Sequence, residues 1–159
     1  MIEMVPFYII GFFIILLALK INKKLVRIDI KAVSIFMLVM ALVTAVRVIV
    51  YRAAGASAPN FFPDVTSLYF VWWEDAVFVL PLLILNHYGI KMKYQLPFII
   101  LSSVAFAGGH LSYSLSWAAF LLCYVYHISY SYGLKYGLGT VMICHVFYDL
   151  ITTATTFLI

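Results

Sequence analysis

Glu74 and Asp75 are neighbours, His110 follows the pair Gly108-Gly109, and His145 stands four residues before Asp149. Carboxylates can take a proton from water, and imidazoles can hold that water or donate to a developing negative charge. The same side chains are acceptable zinc ligands. A spacing of four puts His145 and Asp149 on one helix face, one turn apart, so both can point into one cavity. Glu74 and Asp75 project about 100° apart on a helix. At most one of them therefore aims directly at that cavity. Arg47 is the natural partner for the other, which is Asp75 if Glu74 is the inward one. The two glycines before His110 remove side-chain bulk and free the backbone, which would let a substrate or another helix approach the imidazole.

All of these groups lie in or beside long apolar runs. Of the 159 residues, 66% are apolar and 10% are charged, with a mean hydropathy of +1.10. An ordinary soluble domain carries about 25% charged residues, so water is not the main solvent of this chain. A bilayer core about 30 Å thick requires roughly 20 apolar residues per helix. Six runs answer to that: Val5 to Leu19, Ala32 to Tyr51, Ser67 to Tyr88, Gln95 to Ala107, Tyr113 to Tyr130 and Tyr136 to Ile159. The expected fold is all-α, a polytopic membrane protein of about six transmembrane helices. No separate soluble domain fits between the runs, so residues 1–159 are read as one transmembrane helical domain. No basic segment precedes the first run and no A-x-A-like site follows it, so it is read as a retained helix and not a cleaved signal.

The formal charge of +4 is unevenly spread. Lys20, Lys23, Lys24, Arg27 and Lys31 share the first loop, which is a membrane-loop signature and not a nucleic-acid patch. Arg52 stands in the second loop, Lys91 and Lys93 in the third, no cation in the fourth and Lys135 in the fifth. The alternation puts loops one, three and five in the cytoplasm and both termini outside, in a multi-pass protein of the cell (plasma) membrane.

Several conspicuous residues have plain structural readings. Trp72 and Trp73 suit an interfacial belt or helix packing. His87 suits a solvated place beside the third loop, and His127 suits packing or an interfacial hydrogen bond. Gly133 and Gly137 are spaced for close helix packing. Cys123 and Cys144 read as small buried thiols. Glu74, Asp75, His110, His145, Asp149 and Arg47 differ because ionisable groups within a bilayer cost free energy and are usually paired or functional. From a rise of 1.5 Å per residue, Glu74 lies roughly 10 Å below the outer end of helix three, and His145 and Asp149 roughly 14 and 20 Å above the inner end of helix six. His110 and Arg47 come out at roughly 22 Å above the inner side. The groups share a depth range.

The order of these pieces resembles the CPBP family, the type II CAAX prenyl proteases and their bacterial relatives, the intramembrane glutamic endopeptidases also called abortive-infection proteins. The family pattern is Glu-Glu-x-x-x-Arg, then Phe-x-x-x-His, then His-x-x-x-Asn or Asp, each on its own transmembrane helix. Phe106 with His110 and His145 with Asp149 meet the second and third motifs in full. Glu74 meets the first glutamate, while Asp75 stands where the second is usual and Val79 where Arg is usual. Members typically have about eight helices, so the chain resembles a reduced core.

The resemblance implies that Glu74 is the general base that activates water against a peptide carbonyl, with His110 holding that water and no metal or other cofactor. A partly dry cavity solvates the carboxylate charge poorly and makes it a better base. His145 and Asp149 match the positions assigned to oxyanion stabilisation. An ionised Asp149 only accepts hydrogen bonds, so it must be protonated there or instead orient His145. The implied partners are the lipid bilayer and a peptide or membrane-protein substrate. A zinc site of Glu74, His110, His145 and Asp149 ranks below this, since no H-E-x-x-H helix is present. The alternative from another class is a non-catalytic relative, such as a bacteriocin-immunity protein or scaffold, or a small proton-coupled transporter.

Overall fold

The computed structural model describes residues 5–55, 67–108 and 127–158, and among these described residues the regular structure is helical throughout, without a strand. In chain order the helices are α1 (Val5–Ile21), α2 (Ile30–Ala54), α3 (Ser67–Phe78), α4 (Leu80–His87), α5 (Met92–Gly108), α6 (residues 127–136) and α7 (Leu138–Leu158). A single 3-10 turn, Lys23–Val26, lies between α1 and α2. The fifth apolar run is described only over its last residues.

Local chemistry sets the boundaries. The Asn22 side chain caps the 3-10 turn by accepting from the Lys24 N–H at 2.9 Å. Asp29 caps α2 by accepting from the Ala32 N–H at 3.0 Å, and Gly55 ends that helix in the left-handed region at φ 61°. The run read as one helix from Ser67 to Tyr88 is two pieces in near continuity. Pro81 sits in the first turn of α4 and has no N–H for the Val77 carbonyl, which interrupts the ladder. Val79 bridges the pieces in a helical conformation, donating to the Asp75 carbonyl at 3.0 Å.

The last connection also differs from the expectation. Helix extends to residue 136, so Lys135 belongs to a helix end and not to an open loop. A cation is well placed there because the last carbonyls present partial negative charge. One residue, Gly137 at φ 93°, separates α6 from α7.

The cation-bearing connections gather at one end of the bundle. Asn22 Nδ2 lies 3.5 Å from His87 Nδ1, which joins the first connection to the end of α4. Arg27 donates to the Lys135 carbonyl and, through Nε, to the Tyr136 carbonyl at 3.3 Å. Tyr132 donates to the Ala32 carbonyl, and Tyr130 donates to Gln95, whose amide in turn reaches the Ile90 carbonyl. Of the ten Lys and Arg, all but Arg47 and Arg52 belong to this end.

α3 is the hub. It packs on α1, α4, α5 and α7, while α2 packs on α7. The apolar core forms around α4, where Val79, Leu80, Leu82 and Leu83 meet Ala18, Ile99, Tyr130 and Leu138. Polar residues are also inside: Asp75, Gln95, Ser103 and Thr140 are buried. The outer surface is apolar by contrast, with Leu38, Ile49 and Leu101 each about two-thirds exposed. α2 is the one helix among the described residues long and apolar enough to cross a membrane, and none of its most apolar stretch is buried. The apolar stretches Tyr8–Ile21, Met92–Phe106 and Leu138–Ile151 are shorter.

Gly137 offers a test of this packing. A Cβ there would lie 2.6 Å from both the Cγ and the carbonyl oxygen of Arg27, whereas a Cβ at Gly55 would meet nothing within 4 Å. Both have positive φ, which costs an L-residue about 1–2 kcal/mol. Gly55→Ala should lose about that amount, and Gly137→Ala clearly more, because backbone must move as well. Equal losses in unfolding experiments would count against the close crossing.

Candidate functional site

The rotation of α3 about its own axis decides which of its two adjacent carboxylates faces inward. Val71, Asp75 and Val79 recur every four residues and are all buried, so they form the face that turns into the protein. Trp73 lies roughly 200° around the helix from Asp75 and docks on α1. A Cβ at Gly11 would sit 3.2 Å from the Trp73 Cβ, and the Tyr8 ring lies 5.4 Å from that of Trp72 and 6.4 Å from that of Trp73. The tryptophans are therefore helix packing, the second of the two readings given to them. With α1 held on that side, Asp75 is presented to α7.

On α7, His145 turns toward this interface, and Val141 and Cys144 are buried, Val141 beside Gly133 of α6. His145 Nδ1 lies 3.3 Å from Asp75 Oδ2, and the two side chains are 17% and 5% exposed. An ionised carboxylate can only accept, so the hydrogen of this contact belongs to Nδ1. Nε2 is left for another partner. Asp75 is the strongest of three carboxylates acting electrostatically on this imidazole, followed by Asp149 and Glu74. Both of those are half-buried. His145 and Asp149 share the continuous helix α7, one turn apart, and Thr153 donates to the Asp149 carbonyl at 2.7 Å.

The partner of Asp75 is His145 and not Arg47, which corrects the expectation from sequence. Arg47 lies on α2 with its guanidinium 5.5 Å from the ring centre of Tyr51, one turn along its own helix. The depth expected for both did not bring them together, because α2 packs on α7. Phe106 is buried and meets the Phe78 ring edge-on at 5.5 Å, which fastens α5 to α3 one turn from Asp75. His110, four residues further on, lies outside the described residues, as does Cys123. Cys144 is a buried thiol beside His145. His87 and His127 are exposed.

Among the described residues no three His, Cys, Asp or Glu side chains gather as a metal site. The zinc set considered above includes His110 and so extends beyond them.

Sequence reasoning passed over two features. The pairing of Asp75 had one available signal, since its four-residue neighbours Val71 and Val79 are small and apolar and mark an inward stripe. The Gln95–Tyr130 bond was the other, and a glutamine in an apolar run was its signal.

Removing one member of a buried pair leaves the other uncompensated, at a cost of about 3 kcal/mol or more. Asp75→Leu and His145→Leu should each destabilise the purified protein on that scale, while the double variant recovers part of the loss, giving a coupling of about 1–3 kcal/mol. Additive losses would sink the pairing. No family model, no curated protein and no solved structure matches the chain.

Proposed function

We propose that the chain is a polytopic integral membrane protein of about six spans in the cell membrane, and an intramembrane glutamic-type endopeptidase of the CPBP kind. The membrane reading is supported by the apolar exterior laid over buried Asp75, Gln95, Ser103 and Thr140. Exposed apolar patches larger than a few hundred Å² are rare on soluble monomers, and in lipid they need no further cover. Broken helices are tolerated in a bilayer where neighbouring groups re-satisfy the backbone. The interruption at Pro81 is thus compatible with Ser67 to Tyr88 as a single span.

The observation that supports the enzymatic reading is the meeting of α3, which carries Glu74 and Asp75, with α7, which carries His145 and Asp149, and with Phe106 of α5, where the second motif begins, through Asp75–His145 and Phe78–Phe106. In this reading Glu74 takes a proton from water as the water attacks a peptide carbonyl, and His110 helps to hold that water. Asp75 is a positioning residue that fixes the imidazole through Nδ1. Nε2 of His145 then faces the substrate, and in the imidazolium form it donates to the oxyanion that develops on the former carbonyl. Asp149 lies one turn along the same face and is relieved of the orienting role that Asp75 fills. The leaving amine takes up the proton held by Glu74, which restores the base. No metal enters this scheme, and the substrate is a peptide or membrane protein near the bilayer surface.

A second reading, a non-catalytic immunity protein, scaffold or proton-coupled carrier, is favoured by one observation. Asp75 and His145 Nδ1 are already paired without a substrate, as a fastening between helices would be.

Cleavage of a peptide library by protein in liposomes separates the two. Glu74→Gln keeps size and hydrogen bonding but removes the base, so turnover should fall by roughly 10² to 10⁴ while thermal stability stays near wild type. Wild-type turnover in the folded variant would overturn the peptidase reading.

Orientation is tested separately. The gathering of cations at one end predicts that this end is cytoplasmic and both chain ends are not. Single cysteines placed in the segment 22–28 should resist an impermeant maleimide added to intact cells and react after lysis; labelling without lysis reverses the orientation.

A further inference from the structure

We infer that the basic end carries a binding site for one anionic phospholipid, with its acyl chain between α1 and α7 and its phosphate on Lys20, Lys23 and Lys24. α1 and α7 both pack on α3, yet the two are not closely packed on each other among the described residues. The gap they leave is a partly open cavity of about 270 Å³, lined by Ile15, Leu19, Val26, Leu138, Gly139 and Met142. It presents no polar side chain. The volume falls just below the roughly 300–1,000 Å³ of drug-sized ligand pockets, which suits a length of hydrocarbon chain.

Position gives the second argument. Ile15 and Leu19 are in the last turns of α1, and Leu138 and Met142 are in the first turns of α7. The cavity therefore begins at the level of the cations and extends roughly 10 Å inward by helix rise, the depth of the first acyl carbons beneath a headgroup. Leu19 directly precedes Lys20, and Lys23 and Lys24 open the 3-10 turn that contributes Val26 to the lining.

Charge selects the headgroup. Lys20, Lys23 and Lys24 are exposed, while Arg27 is held by the carbonyls of Lys135 and Tyr136. Asp29, the acidic residue of this stretch, is committed to capping α2. Three ammonium groups beside an apolar slot match a phosphate ester joined to a chain. Lysines near a membrane surface favour anionic lipid roughly fivefold each.

The site rests on the membrane reading and is independent of the chemistry at His145. The test is native mass spectrometry and thermal unfolding of detergent-purified, delipidated protein with added phosphatidylglycerol, phosphatidylcholine or inorganic phosphate. Phosphatidylglycerol should be retained as one molecule, at least roughly tenfold better than phosphatidylcholine, and should raise the unfolding temperature, while inorganic phosphate does neither. The triple variant Lys20→Gln/Lys23→Gln/Lys24→Gln should lose the headgroup preference, and Met142→Phe, which fills the slot, should lose retention. Equal retention of the two lipids, stabilisation by phosphate alone, or a triple variant that behaves as wild type would overturn the proposal. A chain recovered in the soluble fraction of lysed cells defeats the membrane reading as well, whereas a membrane-bound chain without lipid preference defeats this site alone.

Discussion

A carboxylate buried between helices is costly unless a partner of opposite character meets it with good geometry. Asp75 is such a carboxylate, and His145 is its partner. The contact fixes the rotation of α3 and of α7 together, because a turn of either helix by one residue position would swing its group away by about 100°. The remaining helices arrange themselves around that condition. α1 clasps the opposite side of α3 through Gly11, Tyr8 and the tryptophans, and α5 meets it through Phe106. α2 stays on the far side of α7 with its apolar surface outward.

The cationic end solves a different problem. Chain reversals there bring carbonyls and N–H groups out of helical ladders, and each must find a partner. Arg27 serves two carbonyls at the α6 end, and Thr140 accepts from the Asp29 N–H at 2.7 Å while donating to the Tyr136 carbonyl. The segment holding Arg27 lies so close to the start of α7 that only glycine fits at positions 137 and 139 without displacing it. Closeness and hydrogen bonding are one arrangement here: the backbone of the first connection can reach the start of α7 because no side chain intervenes.

Much of this was legible from sequence, and what was hidden was of one kind. Helix identity and position along a helix follow from apolar runs and a fixed rise, so the helical class and the ordering of Glu74, His145 and Asp149 along their helices were readable. Helix azimuth and neighbour choice do not follow from either. Arg47 and Asp75 were expected at one level but sit on helices that face different neighbours, and Glu74 and Asp75 differ only by rotation. That rotation is fixed from both sides, by Asp75 meeting His145 and by α1 docking on Trp73, and both partners lie about sixty or seventy residues away in the chain. Boundaries failed for a related reason. Lys135 looked like a loop residue because it is charged, yet a helix end accepts a cation readily. Pro81 looked like an interior residue of a long apolar run, and its missing N–H divides that run.

The division at Pro81 has a mechanical meaning. Below it, α4 is gripped by the apolar core, with Leu80, Leu82 and Leu83 almost wholly enclosed. Above it, α3 carries Glu74 and Asp75 on a segment no longer tied to α4 by an unbroken ladder. A continuous rod would transmit any twist of its upper half into the core, and tight packing resists such strain. The break lets each half take its own seat: α4 is held by the apolar core, and α3 by Trp73 against α1, Asp75 on His145 and Phe78 on Phe106.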